Sequence, residues 1–144
     1  MIIKMNTDSA LNIIKSKKKR VTPIRKTVVE IIFESDSPIS APEILRSLEK
    51  RGLSANKTTV YRELDFLMRQ DLVQKVNLSP YKIHYEPSYL KHHHHLVCKN
   101  CGDIDEIICS ELEKPMSKLV RRVSKRFKIK DHNLEFYGYC YNCR

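Results

Sequence analysis

Residues 56–86 read Asn-Lys-Thr-Thr-Val-Tyr-Arg-Glu-Leu-Asp-Phe-Leu-Met-Arg-Gln-Asp-Leu-Val-Gln-Lys-Val-Asn-Leu-Ser-Pro-Tyr-Lys-Ile-His-Tyr-Glu. Two periodicities meet inside this stretch. Val60, Leu64, Leu67 and Met68 recur at helical spacing, which predicts a helix from about Asn56 to Gln70. Leu72 to Val76 and Lys82 to Glu86 then read as extended segments around a turn holding Ser79 and Pro80, the pattern of a β-hairpin. The helix face opposite the apolar stripe carries Thr58, Tyr61, Arg62, Asp65 and Arg69.

Upstream, the chain reads as helices. One runs from about Thr7 to Ser16. A second opens at Thr22, a good N-cap, with Pro23 at its first position and Ile24, Val28, Ile31 and Ile32 as its stripe. A third opens at Ser40, with Glu43 completing a capping box and Gly52 ending it. Helices followed by a hairpin make a winged helix, whose last helix fits a major groove. There Arg62 can donate to guanine or phosphate and Tyr61 can touch a thymine methyl or a phosphate. The same residues also suit an ordinary solvated helix face.

Downstream of Pro87 the character changes. Leu96 to Lys99 and Ile104 to Ile108 read as strands around Cys98 and Cys101. Leu112, Met116, Leu119, Val120, Val123 and Phe127 follow at helical spacing, with Pro115 in or just before the first turn. Leu134 to Tyr139 reads as a last strand. The expected class is therefore α+β: a winged-helix DNA-binding domain over residues 1–88 and a small α/β domain over residues 89–144. The second is short enough to need a staple or a partner subunit.

Cys98-Lys-Asn-Cys101 and Cys140-Tyr-Asn-Cys143 supply that staple. Each pair places two thiolates on one ion, and two pairs complete the tetrahedral shell that zinc favours. Four protein ligands leave no open position, so the site is structural. Redox-active dithiols are the alternative. The fifth cysteine, Cys109, has no partner motif and reads as a buried thiol.

His92-His93-His94-His95 stands just before the first pair. In an extended segment His93 and His95 face one way and His92 and His94 the other, so one strand can feed two metal sites. His84 and Glu86 share a face of the hairpin strand and are candidate partners, as are Glu113 and His132 farther on. Glu113 also fits a capping box with Ser110. Imidazole with carboxylate suits zinc, iron, manganese or nickel alike.

Composition narrows the function. The 144 residues are 41% hydrophobic and 31% charged, with net charge +10, which points to an acidic partner such as nucleic acid. No acid occurs between Ser9 and Val29, where Lys15, Lys17, Lys18, Lys19, Arg20, Arg25 and Lys26 crowd together. No apolar run reaches the roughly 20 residues of a membrane span, and the start is too short and mixed for a signal peptide, so the expected location is the cytosol. No H-E-x-x-H, nucleophile elbow or phosphate-binding glycine loop is present, which argues against an enzyme and against a small-molecule substrate. A metal-buffering protein with incidental basic charge is the other class that fits.

The order of these features resembles the ferric uptake regulator family. The matching stretches are Val21-Thr-Pro-Ile-Arg25, Ile39-Ser-Ala41, Thr59-Val-Tyr-Arg62, His92-His-His-His-Leu-Val-Cys98 with Cys101-Gly102, and the Cys140–Cys143 pair. The resemblance implies a homodimer with an N-terminal winged helix and a C-terminal dimerisation domain. It implies repression at palindromic, AT-rich double-stranded operators when a regulatory metal is loaded. Tyr61 and Arg62 match the family's DNA-contacting pair, and Arg20 matches a basic minor-groove position; Thr58 joins them as a candidate from the exposed helix face alone. Cys98, Cys101, Cys140 and Cys143 match a structural zinc site. Glu86, His93 and His95 match three ligands of an inter-domain sensing site for a second divalent metal, zinc or iron. The usual fourth, a histidine before Ser-Ala, is Pro38 here, and His84 is the candidate substitute. His92, His94, Glu113 and His132 match a second site within the dimerisation domain. The Thr59–Leu67 segment is similar to the zinc uptake regulator branch, although Gln74 and Ser88 stand where that branch often has a His or Asp and a Cys. Zinc sensing is the favoured expectation, with iron, manganese, nickel or peroxide sensing as alternatives.

Overall fold

A computed structural model of the chain describes residues 5–79, 82–108, 110–130 and 132–144. It divides into two compact units, Met1–Leu90 and Lys91–Arg144. The expectations about Pro80 and Cys109 lie outside the described residues.

The first unit begins with four helices, α1 (Thr7–Ser16), α2 (Pro23–Glu34), α3 (Ala41–Lys50) and α4 (Lys57–Arg69). Side chains cap three of them. Asn6 accepts from the Ser9 N–H, Thr22 from the Arg25 N–H, and Asn56 from the Thr59 N–H, each satisfying a first-turn donor that has no partner within its helix. At α3 the capping box forms as predicted: the Ser40 N–H donates to Glu43 Oε2 at 2.9 Å, and the Ser40 hydroxyl meets the same carboxylate. Burial pushes the Glu43 carboxyl up. The Ser40 hydroxyl and N–H outweigh it and, with His84 and Lys82, hold the group below its ordinary value. Gly52 takes φ +76° just past α3, a left-handed backbone that favours glycine.

These helices bury Leu11, Ile14, Val28, Ile32, Ile44, Leu48, Val60, Leu64 and Leu67 in one core. Against it lies a three-stranded sheet of β1 (Ile39–Ser40), β2 (Val73–Ser79) and β3 (Lys82–Pro87), in the order β1-β3-β2. The hairpin is the predicted one, with both strands slightly longer. β1 was not expected: two residues carry no period, and only their pairing with Tyr85 and His84 defines them as a strand. Register places Gln74 opposite Glu86 and Val76 opposite His84.

The second unit holds β4 (His94–Cys98), β5 (Ile104–Ile107), α5 (Ser110–Val123) and β6 (Glu135–Gly138). β4 is central, antiparallel to β5 and parallel to β6. Gly102 takes φ +76° in the turn after Cys101, joining β4 to β5. Three expectations shift. β4 starts at His94 rather than Leu96, so half of the histidine run is paired strand. α5 starts a turn earlier than Pro115 suggested, which leaves that proline inside the helix at the cost of one i→i−4 hydrogen bond. Phe127 keeps the helical period but lies beyond the end of α5 and is exposed.

Candidate metal centres and DNA-reading helix

α4 presents its predicted face. Thr58, Tyr61, Arg62, Asp65 and Arg69 are all exposed, because Val60, Leu64 and Leu67 are fully buried on the other side. Burial, and then Tyr61 and Asp65, raise the Tyr85 hydroxyl above its ordinary value. Arg20 is exposed in the segment between α1 and α2. A contact that the sequence did not signal supports the same face: Arg25 on α2 forms a two-pronged ion pair with Glu63 on α4.

The four predicted cysteines come together, with sulfurs from both pairs within 4.8 Å of one another. Cys101 Sγ and Cys140 Sγ are 3.7 Å apart. A tetrahedron with zinc–sulfur bonds of about 2.3 Å has edges of about 3.8 Å, so the spacing fits that ion. The backbone N–H groups of Cys101 and Cys140 point at Cys98 Sγ and lower that thiol to about 6, against the effect of burial. The Asp103 backbone N–H lowers the Cys101 thiol, but the Cys98, Cys140 and Cys143 sulfurs and burial push it up to about 12. Four sulfurs at this distance repel as anions, and a divalent cation relieves that repulsion. The donor set therefore suits a metal, whose binding requires thiolates.

The histidine run splits between two faces. His92, His94, Glu113 and His132 bring their donor atoms within 4.8 Å. Glu113 Oε1 lies 2.7 Å from His94 Nε2 and 3.2 Å from His92 Nε2, and Glu113 Oε2 lies 3.5 Å from His132 Nε2. The His94 hydrogen bond, and then the His92 and His132 charges, lower the Glu113 carboxyl against burial. Glu113 thus turns to the imidazoles. Ser110 is already the first helical residue rather than the cap that the alternative reading needed.

On the other face, His93 Nε2 and His95 Nε2 are 3.1 Å apart, and Glu106 Oε1 is 4.0 Å from His93 Nε2. His93 Nδ1 lies 2.6 Å from the Lys91 carbonyl, which can only accept. Nδ1 is therefore the donor in that contact, and Nε2 faces His95, the orientation a metal-ligating imidazole needs. Glu106 was missed in the sequence. Its signal was the hairpin register, which sets it opposite His95 on β5.

In the first unit, Glu86 is buried on β3, and its Oε1 accepts from Gln74 Nε2 at 2.7 Å, as their cross-strand pairing dictates. His84 departs from expectation. It lies opposite Ser40 and Val76 with its charge acting on Glu43, and it joins none of the donor clusters among the described residues. The β3 register turns it toward the α3 cap. Pro38 is buried and offers no donor.

The ferric uptake regulator family model matches residues 16–137. The chain belongs to the ferric uptake regulator family. It is 34% identical over 129 residues to the ferric uptake regulation protein of Bacillus subtilis, covering 86% of this chain and 85% of that one. The solved ferric uptake regulator of Helicobacter pylori, described as having three functional metal-binding sites, matches with TM-score 0.84 and 25% identity over 99% of this chain and 97% of that one. A zinc uptake regulator solved with zinc and DNA matches with TM-score 0.65 and 28% identity over 94% and 91% of the two chains. As a member of the ferric uptake regulator family, the protein is a metal-responsive, DNA-binding transcription regulator and not an enzyme. No helix among its described residues is long and apolar enough to cross a membrane.

Proposed function

We propose that this family member is a homodimeric repressor that binds a palindromic operator when zinc occupies its regulatory site. The observation that carries the reading is the sorting of four consecutive histidines into two donor clusters beside a closed four-cysteine set. Cys98, Cys101, Cys140 and Cys143 would hold a structural zinc, which supplies only a fixed tetrahedral junction. His92, His94, Glu113 and His132 form a second site in the same unit. His93 and His95, with Glu106, provide the regulatory site, and the family resemblance adds Glu86 from the DNA-binding unit. Arg20, Thr58, Tyr61 and Arg62 contact the operator. Exposed Leu119 and Val123 on α5 supply apolar surface for the dimer.

Pro38 supports zinc over iron. Without a histidine there, the regulatory set is two imidazoles and two carboxylates, and four such donors complete a zinc shell. Metals that favour six oxygen-rich ligands are less well served. Iron sensing is the second reading, favoured by the relatives that are named ferric uptake regulators.

Ligands shared between the two units would favour one arrangement of them, with two copies of α4 about 34 Å apart on successive turns of DNA. Metal shifts that equilibrium only if it binds the DNA-competent arrangement more tightly. The test is DNA binding titrated separately with zinc, iron, manganese and nickel, with bound metal counted per chain. Zinc should give the largest gain at the lowest free concentration. Equal DNA binding with and without added metal would sink the reading.

A further inference from the structure

Arg25 sits in the first turn of α2, between two parts of the DNA-facing surface. Its Nε donates to Glu63 Oε2 at 2.7 Å and its Nη2 to Glu63 Oε1 at 3.3 Å. Its Nη1 donates to the Arg20 carbonyl at 2.5 Å. The guanidinium carbon lies 3.6 Å from the centre of the Phe66 ring. The side chains of Arg25 and Glu63 are only 15% and 13% exposed.

A guanidinium is planar, with its donors in a fixed fork, so a two-pronged carboxylate and a ring against its face leave it a single orientation. Glu63 and Phe66 belong to α4, one beside Arg62 and the other a turn farther on. The Arg20 carbonyl belongs to the basic segment that precedes α2. One side chain therefore joins the backbone at Arg20 to the reading helix. Its charge is matched by Glu63, which would otherwise set an uncompensated anion among the phosphate-facing residues.

We propose that Arg25 is a positioning residue for DNA recognition, holding the Arg20 segment and α4 in one register so that Arg20 and the Tyr61–Arg62 pair engage the duplex together. It does not contact phosphate itself. The inference rests on the reading in which Arg20, Tyr61 and Arg62 meet DNA.

The test uses the zinc-loaded full chain, a duplex selected by that protein from a randomised pool, and a scrambled duplex of equal composition. The double variant Arg25→Gln/Glu63→Gln leaves net charge unchanged. It should lower the ratio of selected to scrambled affinity by about tenfold, the scale of one lost base contact, with no change in the slope of log Kd against log salt. Arg25→Lys keeps the charge but not the fork, and its ratio should fall too. Melting curves run alongside identify a variant that fails to fold, in which case the milder Glu63→Gln decides, with a fall in ratio expected. A slope reduced by about 0.9 in the double variant would mean that Arg25 is itself a phosphate contact, and the proposal fails. An unchanged ratio in folded variants, or full rescue by lysine, would reduce the cluster to a fold contact. The underlying reading fails separately: Arg20→Ala and Arg62→Ala would then leave the ratio intact in the otherwise unaltered protein.

Discussion

Cys98 differs from Cys101 and Cys140 at the level of a single sulfur. Two backbone N–H groups hold its thiol near 6, from an ordinary 9.0, while Cys101 is pushed to about 12 and Cys140 is raised chiefly by Cys143. A depressed value means that the thiolate is already present at neutral pH and is lost as pH falls through about 6. Above that point Cys98 gives up no proton when a metal arrives, and below it gives up one. Calorimetry in buffers of different ionisation heat, on a variant with His92, His93, His94, His95 and His132 replaced by Gln so that no cluster imidazole releases protons in the same range, should therefore show about one additional proton released per zinc bound as pH drops below 6. A constant proton count between pH 5 and pH 8 would contradict this. Glu106 shows where residue-level reading ends. The four cysteines announce themselves by repeated spacing, whereas Glu106 is an acid like any other until β4 and β5 are aligned around the turn.

The capped helix starts of the first unit were the most legible elements, because a cap is a local chemical event. Ser40 and Glu43 specify the start of α3 in four residues, and Thr22 with Pro23 does the same for α2. Ser40→Ala should cost about 1 kcal/mol and lower the melting temperature by roughly 4–8 °C for a unit of this size. The Glu43 carboxyl sits below its ordinary 4.5. Its stabilising effect is thus complete above that value and lost as pH falls through the lowered one, so parent and Ser40→Ala should converge in acid melting curves. Elements defined by pairing were less legible. β1 is two residues long, and His94 belongs to β4 only because Ile107 lies opposite. On α4 the helical period exposes Arg62 and buries Leu64. Arg62→Ala should weaken operator discrimination by about 1–3 kcal/mol in binding assays and leave the metal content unchanged. A metal-buffering role would instead leave DNA binding untouched.

For the whole molecule, the contrast between the units is the main fact. Among the described residues, the apolar core cluster lies entirely in the first. In the second, α5 buries none of its residues among those described, and Leu119, Val123, Phe127 and Ile129 are exposed. Leu119→Asp with Val123→Asp should convert a dimer to monomers in sedimentation experiments while bound zinc per chain stays constant; an unchanged sedimentation coefficient would place the dimer contact elsewhere. The histidine run has a further consequence. Residues 92–95 have one set of backbone torsions serving two opposite faces. If His93 and His95 hold an ion as proposed, a twist that draws them onto it would also turn His92 and His94, and occupancy of one face would be felt at the other without any intervening element. Such heterotropic coupling is reciprocal: whatever factor one ion imposes on the second, the second imposes on the first. The four histidines would then respond to the two occupancies jointly, and the protein's sensitivity to metal would depend on the order of neither.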